Sequence, residues 1–209
     1  RRSGSEIEWS LDKRCPCGDF DIVYVKDEKV PRCSGSYDCK ISKKEMLIYF
    51  ASKSGLDIEG LGRETVETLI ANKLVKNFED FYSLSYEELI SLPQWKEKKT
   101  KNLLEAIEKS KNSEQEKLLP ALGIRYVGKQ TSKLLVNTFG SIKNIFDANS
   151  DEINKIHGIS ESVSNSLIEW YSEDTNKLLI RNLEEIGFRF SKKIKKSIGK
   201  FTGKTFVMT

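Results

Sequence analysis

Four short segments of this chain repeat one pattern at a nearly constant interval, and that repeat constrains the fold more than any other feature. They are Ile58-Glu59-Gly60-Leu61-Gly62 with Val66, Leu92-Pro93-Gln94-Trp95-Lys96 with Thr100, Ile124-Arg125-Tyr126-Val127-Gly128 with Ser132, and Ile156-His157-Gly158-Ile159-Ser160 with Ser164. The underlying pattern is apolar, any residue, small, apolar, small, followed four places later by a small or medium residue. The central apolar residues stand at 61, 95, 127 and 159, so the intervals are 34, 32 and 32. Unrelated loops would not hold that interval, and a period of this length marks tandem supersecondary units.

Each segment closes one helical pattern and opens the next, which is the sequence form of a helix-hairpin-helix unit. The chain is therefore predicted to be mainly α, with four such units in tandem. Glycine lets the backbone turn at positive φ and keeps side chains out of the way of a ligand. The central apolar residue plugs the gap between the two helices. The unbonded N–H groups at the start of the second helix then face outward, with the helix dipole favouring an anion such as phosphate. The predicted phosphate-holding residues are Gly60, Leu61, Gly62 and Arg63 in the first unit, and Lys96, Lys98 and Lys99 in the second. The third supplies Arg125, Val127, Gly128 and Lys129, and the fourth Gly158, Ile159 and Ser160. Contacts to backbone phosphates recognise shape and not base sequence. The alternative is that these are ordinary helix corners whose glycines serve geometry alone. The second unit, which has lost both glycines, fits that alternative best, unless Gln94 and Lys96 move the contact to side chains.

All four cysteines lie within one short stretch, Cys15-Pro16-Cys17, Cys33 and Cys39. A secreted disulfide scaffold spreads its cysteines more widely, whereas clustering points to a metal. The set is predicted to hold one zinc ion. Structural zinc sites use paired cysteines two to four residues apart; here the first pair is one residue short and the second slightly long. Gly18 and Gly35 stand where tight knuckles are needed. Reduced thiols or a transient disulfide remain as alternatives. Between the pairs, Phe20-Asp21-Ile22-Val23-Tyr24-Val25 and Lys29-Val30 read as a short hairpin around Asp27-Glu28.

The predicted organisation is a leading segment over 1–14, the cysteine module over 15–40 and a helical domain over 41–187. A lysine-rich linker over 188–202 and a single strand over 203–209 follow. Ser42 with Glu45, Ser85 with Glu88 and Ser113 with Glu116 have capping-box spacing. Gly140 and Gly187 read as helix ends. The net charge of +4 permits a polyanionic partner without requiring one, so the placement of cations carries the argument. No stretch approaches the roughly 18–20 apolar residues of a membrane span. The chain opens on Arg1-Arg2-Ser3-Gly4, without an initiator Met or signal peptide. It is expected to be part of something longer, cytoplasmic and monomeric.

Three stretches carry a more specific resemblance. Phe50-Ala51-Ser52-Lys53-Ser54-Gly55-Leu56-Asp57 leading into the first repeat, Asn102-Leu103-Leu104-Glu105-Ala106-Ile107-Glu108-Lys109-Ser110-Lys111, and Ala121-Leu122-Gly123-Ile124-Arg125-Tyr126-Val127-Gly128 resemble, in order, blocks of the bacterial NAD-dependent DNA ligases. The resemblance covers nearly the whole chain. It implies the end of an oligonucleotide-binding fold at 1–14, a zinc finger, a helix-hairpin-helix domain, and at Gly203-Lys204-Thr205-Phe206-Val207-Met208-Thr209 the first strand of a BRCT domain. It further implies nicked duplex DNA as partner, a role in replication and repair, and NAD and Mg2+ as cofactors of the parent enzyme, bound outside this stretch. Two departures stand out: the family's first cysteine pair is C-P-x-C, and the segment before Cys15 is short. The family adenylates a lysine in a K-x-D-G motif, and none occurs here, so this piece is expected to be inactive alone. The sole histidine, His157, sits in the fourth repeat, where a turn or DNA-facing role fits better than catalysis.

Three functions compete on this reading. The first is the clamp of a ligase, holding nicked duplex by its phosphates. The second is a standalone, non-catalytic DNA-repair or junction-binding module, against which the cysteine module and the 203–209 strand weigh. The third is a protein-interaction scaffold, whose signature is binding that ignores salt.

Overall fold

A computed structural model describes residues 10–24 and 30–190, with Tyr37 as backbone only. The described chain is mainly helical and contains one two-stranded sheet. It divides into two compact units. The first runs to Ser110 and includes Ala121–Gly123, and the second comprises Lys111–Pro120 and the chain from Ile124 onward.

The first unit opens with the cysteine module. Strands β1 (Ile22–Val23) and β2 (Arg32–Cys33) pair antiparallel, with Ile22 opposite Cys33 and Val23 opposite Arg32. A 3-10 turn at Ser36–Asp38 leads into α1 (Lys40–Ala51). Then come α2 (Arg63–Ala71), a 3-10 turn at Glu79–Ser83, α3 (Tyr86–Ile90) and α4 (Glu97–Ser110). The core gathers on Phe50, whose ring lies 4.6 Å from that of Phe78 and stacks on that of Phe81 at 6.3 Å. Gly55 follows α1 so closely that a Cβ there would run into the carbonyl oxygens of Tyr49 and Phe50, so only glycine fits.

The second unit holds α5 (Gln115–Ala121, its last residue grouped with the first unit), α6 (Lys129–Phe139), α7 (Ile142–Asp147), α8 (Ser150–Asn154), α9 (Glu161–Ser172) and α10 (Asp174–Ile186). Phe146 stacks on Tyr171 at 4.3 Å and on Trp170 at 5.6 Å, tying α7 to α9. Buried Gln115 accepts a 2.7 Å hydrogen bond from the Ile142 N–H, tying α5 to α7.

The helix ends follow the sequence in part. Ser85 and Glu88 form the expected capping box, and Gly140 and Gly187 end their helices in the left-handed conformation at φ 78° and 110°. Ser42 does not cap. Helix α1 begins earlier, on Cys39, whose Sγ accepts the Ser42 N–H. Ser113 likewise stands outside α5, which starts at Gln115. Phe188 and Phe190, which open the stretch expected as a linker, are both buried. Residues 191–202, the expected strand at 203–209 and most of 1–14 lie outside the described residues.

The last position of each repeat explains itself once folded. Val66, Thr100, Ser132 and Ser164 are all fully buried. Ser132 donates to the Glu116 carbonyl at 2.9 Å, and Ser164 to Asn154 Oδ1 at 2.7 Å, each reaching the helix before its turn. A side chain larger than this would hold the paired helices apart. Thr100 has the right shape, yet its Oγ1 is buried without a hydrogen-bond partner among the described residues. An unsatisfied buried hydroxyl costs about 1–3 kcal/mol, and Val66 fills the matching place with no hydroxyl. Thr100→Val is therefore expected to stabilise the protein by about 1 kcal/mol. Thermal unfolding followed by circular dichroism checks this, and a lower midpoint counts against it.

Candidate nucleic-acid interface and metal centre

The four repeats fold into four turns of one geometry. In each, the N–H of the central apolar residue donates to the carbonyl three residues back. These bonds run Leu61 to Ile58 at 3.1 Å, Trp95 to Leu92 at 3.2 Å, Val127 to Ile124 at 3.2 Å and Ile159 to Ile156 at 3.1 Å. The residue before the central one is left-handed in all four: Gly60 at φ 83°, Gln94 at 68°, Tyr126 at 61° and Gly158 at 90°. This combination makes each a type II turn. The next helix then begins two residues after the central one, as α2, α4, α6 and α9. Gly62 and Gly128, by contrast, are extended, at φ −72° and −89°. The expectation that these glycines serve positive φ is corrected: that demand falls one turn position earlier. At both, a Cβ would meet nothing within 4 Å, so the chain's own packing does not require glycine there.

The central residues act inward. Leu61, Trp95 and Val127 are buried and Ile159 half-buried, and all four use their N–H within the turn. They shape the turn and present no side chain at its tip. What the tips present is backbone. Helices α2, α6 and α9 start at Gly62, Gly128 and Ser160 with no side-chain cap. Helices α3, α7 and α8 start with caps from Ser85, Ser141 and Asn149. Capping has been left out where a turn precedes the helix, so first-turn amides there are available to an anion.

The cations are not equivalent. Arg63 forms a two-pronged ion pair with Glu45, at 2.8 and 2.7 Å, and lies 3.7 Å from Glu67. The pairing pushes the guanidinium pKa up and the Glu45 pKa down, the hydrogen bond between them being the main cause in both. Lys44 closes the group on Glu67 at 3.1 Å. The first turn thus carries a charge already balanced by its own acids. In the second, Lys96 and Lys98 are exposed and Lys99 sits over the Trp95 ring at 4.2 Å. In the third, Lys129 is exposed, and Arg125 lies beside Tyr126. Gly158 and Ser160 of the fourth are exposed without an adjoining cation. Acids sharpen the contrast: Glu64, Glu97 and Glu161 occupy the first turns of α2, α4 and α9, while α6 has none. The Glu45–Arg63 pair could not be read locally, because the partners are 18 residues apart on different helices. The absence of an acid after Gly128 was in plain view.

The four cysteines come together. Their sulfurs all lie within 4.8 Å of one another, and those of Cys15 and Cys39 are 3.8 Å apart. A metal held tetrahedrally at about 2.3 Å from each sulfur sets them about 3.8 Å apart, so the donor set fits. The short C-x-C pair is accommodated by a tight knuckle: the Gly18 N–H donates to the Cys15 carbonyl at 2.9 Å, with Gly18 at φ 88°. Phe20 and Ile22 pack against the thiols, and the Phe20 ring covers Gly35 so closely that a Cβ there would strike it. At Cys15 a backbone hydrogen bond from Cys17 favours the thiolate, but burial and the neighbouring thiols raise the pKa to about 12. At Cys39 burial opposes ionisation, yet the Ser42 hydrogen bonds and the thiols of Cys33 and Cys17 lower it to about 6. Four thiols so close cannot all ionise unless a cation replaces their protons.

Fold and site together define a helix-hairpin-helix protein with a four-cysteine cluster able to hold a metal ion. The family described as "Helix-hairpin-helix motif" matches residues 117–180, which contain the third and fourth turns. Along its whole length the chain is similar to DNA ligases. That of Geobacter sulfurreducens is 40% identical over 210 residues, that of Anoxybacillus flavithermus 35% over 213 and that of Lysinibacillus sphaericus 32% over 214. Each match takes in 100% of this chain, and the chain spans about 31% of the length of the first relative and 32% of the other two. The resemblance to DNA ligases read from the sequence therefore holds from end to end. Among the described residues no helix is long and apolar enough to cross a membrane.

Purified chain is expected to carry one metal ion, and chelation is expected to lower its thermal midpoint, because two-residue strands cannot hold a module together alone. Elemental analysis beside thermal melts with and without chelator provides the check. Folded protein that contains no metal and ignores the chelator would contradict the assignment.

Proposed function

We propose that this chain is the DNA-holding part of an NAD-dependent DNA ligase, made of four tandem helix-hairpin-helix units behind a zinc-bound cysteine module. It grips nicked duplex by backbone phosphates and leaves sequence unread. Joining of the 3′-hydroxyl to the 5′-phosphate belongs to the rest of the enzyme, together with NAD and Mg2+. One observation carries the reading: helices that follow a turn lack side-chain caps, while α3, α7 and α8 have them. An uncapped N-terminus beside exposed lysine is suited to a phosphate. The four thiolates suit zinc, which is stable in a closed all-sulfur tetrahedron.

The third turn is the main grip, since Lys129 opens a helix free of first-turn acid. Binding to a labelled nicked duplex is to be followed by fluorescence anisotropy across a salt series. Each phosphate neutralised contributes about −0.9 to the slope of log K on log salt. Lys129→Ala is expected to flatten the slope by about that amount, and Arg63→Ala by much less, because Glu45 already balances Arg63. Gly128→Val is expected to weaken binding to all sequences alike while keeping helicity, since the fold leaves room for a Cβ and a phosphate would not. A slope of zero would sink the reading and bring the protein-scaffold alternative forward.

A second expectation concerns chemistry. With no K-x-D-G motif in the chain, incubation with NAD is expected to leave its mass unchanged. A covalent adenylate seen by mass spectrometry would overturn the assignment of catalysis to other parts of the enzyme.

A further inference from the structure

We infer that Tyr126, at the tip of the third turn, is itself a DNA-contacting residue, its ring packing against a deoxyribose while its hydroxyl donates to a phosphate oxygen. This deepens the proposed DNA-holding role and rests on it.

The turn demands a left-handed residue at this position, and the first and fourth turns meet the demand with Gly60 and Gly158. Glycine adopts that conformation without a Cβ penalty, whereas a bulky aromatic residue there is a genuine outlier. The third turn nevertheless holds tyrosine at φ 61°. Nor does internal packing account for it: Tyr126 is 48% exposed, beside a buried Val127 that does the work of filling the gap between helices. A strained residue that the core does not use calls for a reason outside the fold.

Two further observations point to the same ligand. The Arg125 guanidinium lies 5.3 Å from the Tyr126 ring centre, and its Nη2 donates to the Tyr126 hydroxyl at 3.4 Å. The hydroxyl oxygen therefore acts as an acceptor toward Arg125, which leaves its own proton directed to an acceptor, the role a phosphate oxygen fills. A planar ring with a cation at its edge has the composition of surfaces that pack against nucleic-acid strands. Tyr126 also stands two residues before Gly128, where α6 begins without a cap, without a first-turn acid and with Lys129 exposed. The strained aromatic thus sits on the turn with the least opposition to an anion. Gln94, also left-handed at φ 68°, is the one other non-glycine at this place, and its turn lacks the uncapped glycine start.

The experiment uses the chain as it stands, with Tyr126→Gly, Tyr126→Phe and Lys129→Ala, in anisotropy titrations on a nicked duplex and in thermal melts. Tyr126→Gly removes both ring and strain. It is expected to weaken DNA binding about ten-fold, the scale of one aromatic contact, with no loss of thermal midpoint. The salt slope should stay unchanged, because no cation is removed. Tyr126→Phe should lose a smaller part, reporting the hydroxyl. A lowered midpoint for Tyr126→Gly would make Tyr126 a structural residue and overturn the inference. Unchanged affinity in Tyr126→Gly while Lys129→Ala weakens binding would overturn it too, with the DNA-holding reading left standing. No salt-dependent binding by the unmodified chain would bring down that reading and the inference with it.

Discussion

Each hairpin of this chain depends on one residue entering the left-handed region one place before the central apolar residue. That conformation turns the chain so that the next N–H can bond three residues back, from Leu61 to Ile58 in the first turn and Val127 to Ile124 in the third. The bond fixes the central side chain inward and starts the following helix two residues later. It also brings the small residue a turn into that helix against the preceding one, as Ser132 and Ser164 show by their hydrogen bonds backward. Where the left-handed residue is Gly60 or Gly158 the conformation is nearly free; where it is Gln94 or Tyr126 it costs of the order of 1 kcal/mol. A chain that bears this cost twice is under a demand that folding alone does not set.

Helix starts divide into two chemical kinds. Those of α3, α7 and α8 are closed by Ser85, Ser141 and Asn149, so their first amides are used within the protein. Those of α2, α6 and α9 follow glycine or an uncapping serine. Within the second kind, electrostatics ranks the members. Glu64 and Glu161 suit the dipole of their own helices but oppose an incoming phosphate, and Glu45 ties up Arg63. Helix α6 forgoes that stabilisation and begins with Lys129. The same charge that weakens a helix in isolation makes it the stronger anion site.

What the sequence disclosed, and what it hid, follows from the range of each interaction. The repeat, the helix ends at Gly140 and Gly187 and the capping box at Ser85 arise within a few residues, so spacing reveals them. The four cysteines were legible as a ligand set because no other arrangement explains their clustering, even with one pair short. Ser42 was misread as a cap because a cysteine sulfur took that part, which the usual preferences for Ser, Thr, Asp and Asn do not anticipate. Glycine identity showed that the turns were tight but not which glycine was left-handed; Gly62 and Gly128 are extended and Tyr126 is not. The pairing of Arg63 with Glu45 and of Arg125 with Tyr126 depends on how helices and side chains lie in space, which periodicity does not encode.

Cys39 links the metal centre to the first hairpin. Its sulfur belongs to the thiol cluster and, through the Ser42 N–H at 3.5 Å, also starts α1. Helix α1 in turn carries Phe50, the centre of the first unit's core, and Glu45, the partner of Arg63. A protonated, metal-free Cys39 is a poor acceptor, so loss of the ion weakens the first turn of α1 before it reaches the core. The consequence for the first hairpin is electrostatic as well as mechanical: Glu45 sits one turn into that helix, and fraying there releases Arg63 from its acid. The third hairpin has no such dependence, since α5, α6 and α7 are joined by Gln115, Ser132 and Ile142 within their own unit. The metal module therefore governs the turn with the balanced charge, and the turn with the open charge stands on helical packing alone.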